Sequence, residues 1–334
     1  MREAPVSVVI PLFNKAAHVL RALRSVSAQT VPPHEVIVVD DGSTDAGPTL
    51  VAGLADPRIR LLRRSPPGPG GYAARNLGVS AAAAPWVAFL DADDAWKPDH
   101  LARLLAMIEV APAEVGCVFT GFENLFSEGP PRSNPYSRLS RDRGVHRLGF
   151  DAFLDGWLAA KDCPIWTGCV GFRRDLLTAV GLFPEKRCLR GGDKDLWIRA
   201  LWAADALCDP TVSATYFRDS ENMVTKLTDT SRRHCICTTI SEMIGQSAAP
   251  RALRLKRLFN MEISQYATRA LRGGSLPHEI VHGYYVRQDP LRGITYALAT
   301  RLPPAALQRT VSFMRSSRRN VRDWASRIRV SRGG

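Results

Sequence analysis

Three carboxylates directly follow one short apolar run of the sequence. Residues 87–90 form the run, and Asp91, Asp93 and Asp94 come after it. An apolar run bounded by polar residues indicates a buried strand, and open α/β sheets bind ligands beyond the carboxyl ends of their strands. Carboxylate oxygens suit Mg²⁺ or Mn²⁺, and Mg²⁺ commonly combines one or two carboxylates with substrate phosphates. The sequence therefore predicts a site for a metal-bound phosphate compound; the alternative is a polar turn that caps the helix beginning near Pro98.

The elements that would position these acids are strands alternating with helices. Short apolar runs typical of buried strands lie at 7–11, 36–39 and 59–62, ahead of the run at 87–90. Apolar residues at helical spacing separate several of these runs. This alternation is typical of βαβ units, so we predict an α/β fold with a mainly parallel central sheet and flanking helices.

The turn after the first strand excludes two common ways of binding phosphate. A dinucleotide-binding fold would place Gly-x-Gly-x-x-Gly there, but the turn reads Pro11-Leu12-Phe13-Asn14. The sequence also contains no Gly-x-x-x-x-Gly-Lys-Ser/Thr motif. Without a glycine cradle, metal and carboxylates remain as the groups that would bind phosphate.

Positive charge is concentrated at the C-terminal end. The 334-residue chain has a formal net charge of +13, and the segment from Arg301 to Arg332 holds nine arginines against one acid, Asp323. Such a basic segment favours an anionic surface, either membrane lipid or nucleic acid. Because acids at the sheet ends repel a phosphodiester backbone, we expect an anionic membrane surface as a partner of this C-terminal helix, and no nucleic acid.

Hydropathy predicts the location of the protein. The N-terminus enters a strand without a signal-peptide h-region, and no run of roughly 18 or more apolar residues occurs. We therefore expect a cytoplasmic protein that is peripheral on the cytoplasmic face of the membrane where its basic helix binds lipid.

Four sequence blocks together resemble a known family. They are Ser-Val-Val-Ile-Pro-Leu-Phe-Asn at 7–14, Val-Val-Asp-Asp-Gly-Ser-Thr-Asp at 38–45, Ala-Arg-Asn-x-Gly at 74–78 and Phe-Leu-Asp-Ala-Asp-Asp at 89–94. In this order and spacing they are similar to the family 2 glycosyltransferases, which are inverting enzymes with the GT-A fold. The resemblance covers roughly the first third of the chain and implies a nucleotide diphosphate sugar as donor.

The resemblance also implies roles for individual residues. It places Phe13 against the nucleotide base, and the pair Asp40 and Asp41 on base and ribose. Asp91 and Asp93 match the Asp-x-Asp motif of the family, with Asp93 the more direct ligand of Mg²⁺ or Mn²⁺. The residues predicted to lie around the nucleotide and donor are Pro11, Phe13, Asn14, Asp40, Asp41, Arg75, Asn76 and Asp91. For Asn76, packing of a helix N-terminus against the sheet is an equal alternative.

The catalytic base implied by the resemblance is Asp193. The family has a Glu-Asp motif at this place, whose Asp is the base, but here Gly192 stands where the Glu would be. The alternative is that Asp193 only caps a helix, where the macrodipole favours negative charge. Trp166 and Asp195 are predicted to lie on the acceptor side. The alternative interpretation of Asp195 is a solvated residue on the surface of a helix.

These assignments predict an inverting glycosyltransferase that acts on a hydroxyl of a saccharide or lipid-linked acceptor, in cell-surface polysaccharide or glycolipid synthesis. A UDP-sugar is the expected donor. We expect a GT-A domain over 1–218, with a nucleotide-binding half (1–121) and an acceptor half (122–218), and a helical, basic region over 219–334. The alternatives are a nucleotide-sugar-binding protein without catalysis, prompted by Gly192, and a nucleotidyltransferase, which ordinarily has a glycine-rich basic loop that is absent here.

Overall fold

The computed structural model describes residues 3–188, 190–220, 233–303 and 305–307. The chain divides into two compact units, Met1–Thr228 and Asp229–Gly334. Each unit is treated by itself. The predicted division of the first unit into halves at residues 121 and 122 stays a prediction.

One ten-stranded sheet forms the centre of the first unit. Its strands are β1 (Ala4–Leu12), β2 (Pro33–Asp40), β3 (Ile59–Arg63), β4 (Trp86–Phe89), β5 (Ala95–Trp96), β6 (Val115–Leu125), β7 (Arg132–Ser133), β8 (His146–Leu148), β9 (Val170–Arg173) and β10 (Asp205–Phe217). The main path through the sheet is β3-β2-β1-β4-β9-β6-β10-β5, with β7 on β6 and β8 on β10.

The sheet is mixed in direction. Strands β3, β2, β1 and β4 run parallel, as do β6 and β10. Strand β9 joins the two groups and is antiparallel to both β4 and β6. The four strands of the parallel group are those predicted from the apolar runs, and their carboxyl ends meet at one edge of the sheet. The α/β class is as predicted.

Helices flank this sheet where amphipathic segments connect its strands. They are α1 (Val19–Ser27), α2 (Gly47–Ala52), α3 (Tyr72–Ala81), α4 (His100–Val110), α5 (Pro135–Ser140), α6 (Phe150–Ala160), α7 (Arg174–Ala179) and α8 (Gly192–Ala203). Helix α1 illustrates the cause, because its buried residues Val19, Ala22, Leu23 and Val26 recur at helical spacing.

Helix α3 packs unusually close to β1. A Cβ atom placed on Gly78 would lie 2.3 Å from Cγ1 and 3.0 Å from Cγ2 of Val9. Val9 is fully buried in the centre of the sheet. The glycine of the Ala-Arg-Asn-x-Gly block is therefore needed for contact between the helix and the sheet, since any side chain there would separate the two.

The segment at 122–147 is polar and rich in Pro, Ser and Arg, which predicts a long acceptor-side loop or insertion, but it contains regular structure. Strand β6 runs through Leu125, and α5 begins after Asn134, whose side chain accepts hydrogen bonds from the N–H groups of Tyr136 and Ser137. The loop interpretation was wrong because a helix of six residues is too short to show apolar periodicity. The Asn-Pro pair at its start was the readable signal of an N-cap.

The described part of the second unit is helical, in line with the sequence. Its helices are α9 (Ile236–Gly245), α10 (Ala249–Arg272), α11 (His278–Val281) and α12 (Pro290–Ala299). Among the described residues, no helix combines the length and apolar character that crossing a bilayer requires. The basic helix predicted toward Arg332 lies outside the described residues from residue 308 onward.

We expect Gly78→Ala to lower the free energy of unfolding by about 1–3 kcal/mol, because the added methyl group must displace Val9 in a packed interior. Urea unfolding followed by circular dichroism measures this. Gly53→Ala is the matched control, since the atoms nearest to its new Cβ would be at 3.5 Å, an ordinary contact distance. Equal stability of the two variants would contradict the packing argument.

Candidate active site

The acidic loop, residues 91–94, leaves the carboxyl end of β4 beside the end of β1, where Phe89 pairs with Val9. Its first two carboxylates each bind a cationic side chain. Asp91 Oδ1 accepts a hydrogen bond from the Arg75 guanidinium, and Asp93 Oδ2 accepts one from Lys15 Nζ at 2.7 Å. The side chains of Asp91 and Asp93 are 26% and 14% exposed, so both can be reached by a ligand.

The third carboxylate of the loop, Asp94, is completely buried. Its Oδ1 accepts a hydrogen bond from the N–H of Phe217 at 2.8 Å, whereas its Oδ2 has no partner. Burial raises the pKa of Asp94 well above its ordinary value, and the charges of Asp93 and Asp91 raise it further. The protonated form of Asp94 is therefore favoured, which lessens the repulsion within the acidic loop.

The donor chemistry of this loop fits Mg²⁺ or Mn²⁺. All its side-chain donors are carboxylate oxygens, and Asp91 and Asp93 each use one oxygen in the ion pair described above. Over the described residues, no group of three or more His, Cys, Asp or Glu side chains forms a complete metal site. Mg²⁺ commonly takes only one or two carboxylates, with substrate phosphates and water as its other ligands. The residues that would hold the ion are Asp93 and Asp91.

Residues on the nucleotide side of the sheet edge are tied together by their own hydrogen bonds. Asn14 has a left-handed φ of 51°, and its Oδ1 accepts a hydrogen bond from the N–H of Thr44 at 2.8 Å. Asp40 Oδ1 accepts one from the N–H of Ser43 at 2.9 Å. The neighbouring Phe13 is 45% exposed, so its side chain is accessible to a ligand. The turns after β1 and β2 thus form one surface beside an open aromatic ring.

Asp41 and Arg75 hold the glycine-rich loop at 65–71. Asp41 is 1% exposed, and its carboxylate accepts hydrogen bonds from Arg64 and from the N–H of Gly68 at 3.1 Å. Arg75 Nη1 donates to the carbonyl of Gly70 at 2.8 Å. Pro11 lies against Gly71 from the β1 side. Two residues predicted to lie at the nucleotide therefore also shape the loop that borders it.

Arg75 connects the donor side of the site with the predicted base. Burial alone would lower the pKa of its guanidinium, but the charge of Asp91 raises it, with further contributions from Tyr72 and Asp193. Asp193 lies in the first turn of α8 and is partly exposed. The structure thus brings Asp91, Arg75 and Asp193 into one electrostatic neighbourhood, although they are far apart in sequence.

Two predicted site residues stabilise the framework behind this neighbourhood. Asn76 Nδ2 donates to the carbonyl of Phe183 at 2.9 Å, and its Oδ1 accepts from the N–H of the same residue. Asp195 is fully buried and forms ion pairs with Arg187 and Arg199, so its alternative as a solvated residue is wrong.

Segment 180–187 and Asn76 line a cavity of about 440 Å³, whereas no residue of the acidic loop lines it. The contacts of Asn76 are to the segment at 183–185 and not to the sheet, so both its donor role and its helix-packing alternative stay predictions.

Trp166, predicted on the acceptor side, belongs to an aromatic group. Its ring stacks on Tyr216 with centroids 4.9 Å apart and contacts Phe122 at 5.2 Å. Arg218 lies over the Tyr216 ring at 4.5 Å. The charges of the acidic loop act on Tyr216, whose pKa is raised first by burial and also by Asp94. The aromatic group therefore borders the acidic loop on the side of β10.

Sequence reasoning missed two cations of the site. Lys15 and Arg21 both bind Asp93, the first through its side-chain carboxylate and the second through its backbone carbonyl. Arg21 also lies 3.6 Å from the centroid of the Phe217 ring. Lys15 directly follows the first sequence block, so its place in the turn was a readable signal. Arg21 sits in α1 like any polar helix residue, and only the tertiary structure reveals its role.

The chain folds as an α/β protein whose parallel strands end at an edge that carries the partly exposed carboxylates Asp91 and Asp93. The model of the family described as glycosyl transferase family 2 matches residues 7–181, more than half of the chain. The chain therefore belongs to glycosyl transferase family 2, which confirms the resemblance seen in the four blocks.

A similar protein supports the family membership, and similar solved structures support the GT-A fold class. The succinoglycan biosynthesis protein ExoO of Rhizobium meliloti is 44% identical over 111 residues, which are 33% of this chain and 31% of that protein. Thus the chain spans about a third of the curated relative it matches. The crystal structure of S. aureus TarS 1–349 in complex with UDP-GlcNAc has a TM-score of 0.65 at 16% identity, covering 81% of this chain and 75% of that one.

A second solved structure carries a metal. The mannosyltransferase PcManGT from Pyrobaculum calidifontis, in complex with GDP-Man and Mn²⁺, has a TM-score of 0.54 at 19% identity. That likeness covers 94% of this chain and 85% of that one. At these identities the two structures show the fold, and the predicted GT-A class is confirmed.

His100 lies beneath the strand that follows the acidic loop. Its ring stacks on Trp96 with centroids 4.3 Å apart, and its Nδ1 lies 2.8 Å from the hydroxyl oxygen of Ser213. Burial, together with the charge of Arg103, lowers the pKa of His100 to about 3. Between about pH 3 and about pH 6.5 the folded protein therefore keeps this imidazole neutral, whereas the unfolded chain protonates it.

We expect His100 to make the protein less stable in mild acid. Below about pH 6.5 the unfolded state takes up a proton that the folded state binds only near pH 3, so stability falls as the pH falls through this window. Between pH 7.5 and 5 the loss from this residue is about 2 kcal/mol, and His100→Gln should remove it. Urea unfolding at the two pH values measures the difference. His34→Gln, at a half-exposed histidine, is the control; an unchanged pH dependence in His100→Gln would contradict the argument.

Proposed function

We propose that this chain is an inverting glycosyltransferase that moves a sugar from a nucleotide diphosphate donor to an acceptor hydroxyl. The observation that carries the proposal is the acidic loop. Its Asp91 and Asp93 are partly exposed and paired with Arg75 and Lys15 at the carboxyl edge of the parallel strands, and Phe13, two residues before Lys15, is also exposed. Membership of glycosyl transferase family 2 supports this assignment.

Asp93 and Asp91 would hold a Mg²⁺ or Mn²⁺ ion at this edge. When bound, such an ion acts as a Lewis acid that stabilises the negative charge of a leaving diphosphate. The chain's own cations support the same task. Lys15 and Arg75 keep the carboxylates in place, and the raised pKa of Arg75 keeps its guanidinium charged.

Asp193 is the proposed general base. The acceptor hydroxyl transfers its proton to the Asp193 carboxylate as its oxygen forms a bond to the anomeric carbon. The bond from that carbon to the diphosphate oxygen breaks with its electron pair staying on the diphosphate. Because base and leaving group stand on opposite faces of the sugar, one displacement inverts the configuration.

Similar proteins support the donor and acceptor classes. TarS has been solved in complex with UDP-GlcNAc and with UDP, which favours a UDP-sugar as the donor. ExoO is a succinoglycan biosynthesis protein, which favours a saccharide or lipid-linked acceptor in polysaccharide or glycolipid synthesis. The nine arginines toward the C-terminus favour an anionic membrane surface, and thus a peripheral place on the cytoplasmic face.

We expect UDP binding to depend on a divalent ion. Isothermal calorimetry with Mn²⁺ should give a dissociation constant at least about tenfold lower than in EDTA, because the acids at 91 and 93 would otherwise repel the diphosphate. Asp93→Ala should abolish the effect of Mn²⁺. A parallel thermal-shift panel of UDP, GDP and TDP identifies the base.

The control for this experiment is Asp142→Ala, which removes a carboxylate that is 94% exposed and pairs only with its neighbour Arg141. It should bind UDP and Mn²⁺ like the wild type. Binding that is equally tight in EDTA, or unaffected by Asp93→Ala, refutes the metal-dependent donor site.

We expect Asp193→Asn to lower the rate of donor turnover about 10²–10⁴-fold while leaving UDP binding unchanged, because the amide accepts no proton at neutral pH. Release of UDP from a panel of UDP-sugars measures turnover. Asp175→Asn is the matched control, since Asp175 is also an acid in the first turn of a helix but is 73% exposed.

The same assay distinguishes the proposed enzyme from the alternative, a nucleotide-sugar-binding protein without catalysis. That alternative arises from Gly192, which leaves Asp193 without the acidic neighbour of the family pattern. Tight UDP binding without turnover of any sugar donor by the wild type would favour it. Turnover within a few-fold of wild type in Asp193→Asn would show that another group is the base.

A further inference from the structure

The surroundings of Gly192 explain why the chain departs from the family pattern there. Gly192 is the first residue of α8, and its φ is outside the left-handed region. A Cβ on this residue would lie 2.9 Å from Cζ of Tyr72 and 3.0 Å from Cγ of Pro184. Space, and not backbone conformation, therefore requires glycine at this position.

Tyr72 occupies the space that a larger residue at position 192 would need. It is 4% exposed, and its ring stacks on Phe183 with centroids 6.0 Å apart and an angle of 14° between the planes. Its hydroxyl oxygen accepts a hydrogen bond from the N–H of Gly192 at 2.9 Å. The first N–H groups of a helix have no partner within the helix, so this bond fixes the first turn of α8 from outside.

Tyr72 also belongs to the donor side of the site. It is the first residue of α3, and Arg75 follows it one turn later with its ion pair to Asp91. The electrostatic influence of both Tyr72 and Asp193 reaches the Arg75 guanidinium. One buried side chain thus links the helix that carries Arg75 to the turn that carries Asp193.

We propose that Tyr72 is a positioning residue for the proposed base: its hydroxyl accepts the N–H of Gly192 and so holds the first turn of α8, which carries Asp193. This inference rests on the proposed function, because it presupposes that Asp193 accepts the proton of the acceptor. A carboxylate acts as a general base only within hydrogen-bond reach of that proton, so the orientation of its helix turn affects the rate directly.

The first test is Tyr72→Phe, which keeps the stacked ring and removes the hydroxyl. We expect kcat to fall about five- to tenfold, the effect of one neutral hydrogen bond, while KM for the UDP-sugar stays within about twofold. Hydrogen exchange of the amides at 192–195 should become faster. A wild-type kcat, or a change confined to KM, overturns the inference.

Tyr136→Phe is the matched control. Tyr136 is also 4% exposed, and its hydroxyl lies 3.1 Å from Nε2 of His146, outside the acidic loop and α8. Its kcat and the exchange at 192–195 should match the wild type. A control that falls as far as Tyr72→Phe would show that any buried tyrosine hydroxyl affects turnover, and would also overturn the inference.

A double-mutant cycle tests the contact itself. Gly192→Ala should lower kcat in the presence of Tyr72, because the new methyl group displaces the ring. In the Tyr72→Ala background the same substitution should cost at least about threefold less in kcat, since residues in contact show coupled effects. Independent effects of the two substitutions contradict the inference.

Failure of this inference is distinguishable from failure of the proposed function. If Asp193→Asn is inactive while Tyr72→Phe has the kcat of the wild type, the base assignment stands and the role of Tyr72 falls. If Asp193→Asn is active, the base assignment falls whatever the result for Tyr72→Phe.

Discussion

Repulsion among three carboxylates at the end of one strand is the constraint on which the site depends. Asp91, Asp93 and Asp94 follow β4 within four residues, and their charges oppose one another. The fold offsets two of them with Arg75 and Lys15, which come from α3 and from the turn after β1. Helix α3 and strand β1 are thus held at the acidic loop by ion pairs as well as by apolar packing.

Because these carboxylates need cationic partners, the site combines the turns after β1 and β2 with helix α3. Strands β1 and β2 supply turns with an open aromatic ring and buried acids, whereas α3 supplies the cation that reaches toward α8. Burial favours the protonated form of Asp94, so the carboxylates left to meet a ligand are Asp91 and Asp93, each already paired with a cationic side chain.

The parallel half of the sheet and the acidic loop could be predicted from sequence because their signals are local. Short apolar runs that end in Asp or Asn specify both a strand and what lies at its end, as at residues 87–94. The short helix α5 has no apolar periodicity over its six residues, and only the Asn-Pro pair at its start could have indicated it. Contacts between distant segments, such as Tyr72 with Gly192 or Arg21 with Asp93, depend on tertiary packing and have no sequence pattern of their own.

The contact between Gly78 and Val9 limits how this sequence can diverge. The backbone of α3 at Gly78 touches the methyl groups of Val9, so there is no space for a larger residue at position 78 while Val9 is kept. A descendant chain with a larger residue at 78 needs a smaller one at 9, or a shift of the whole helix away from the sheet. Such a shift would also carry Arg75 away from Asp91, so a change in a purely apolar contact would alter the charge balance of the site. The two positions are therefore expected to vary together among proteins that keep this ion pair.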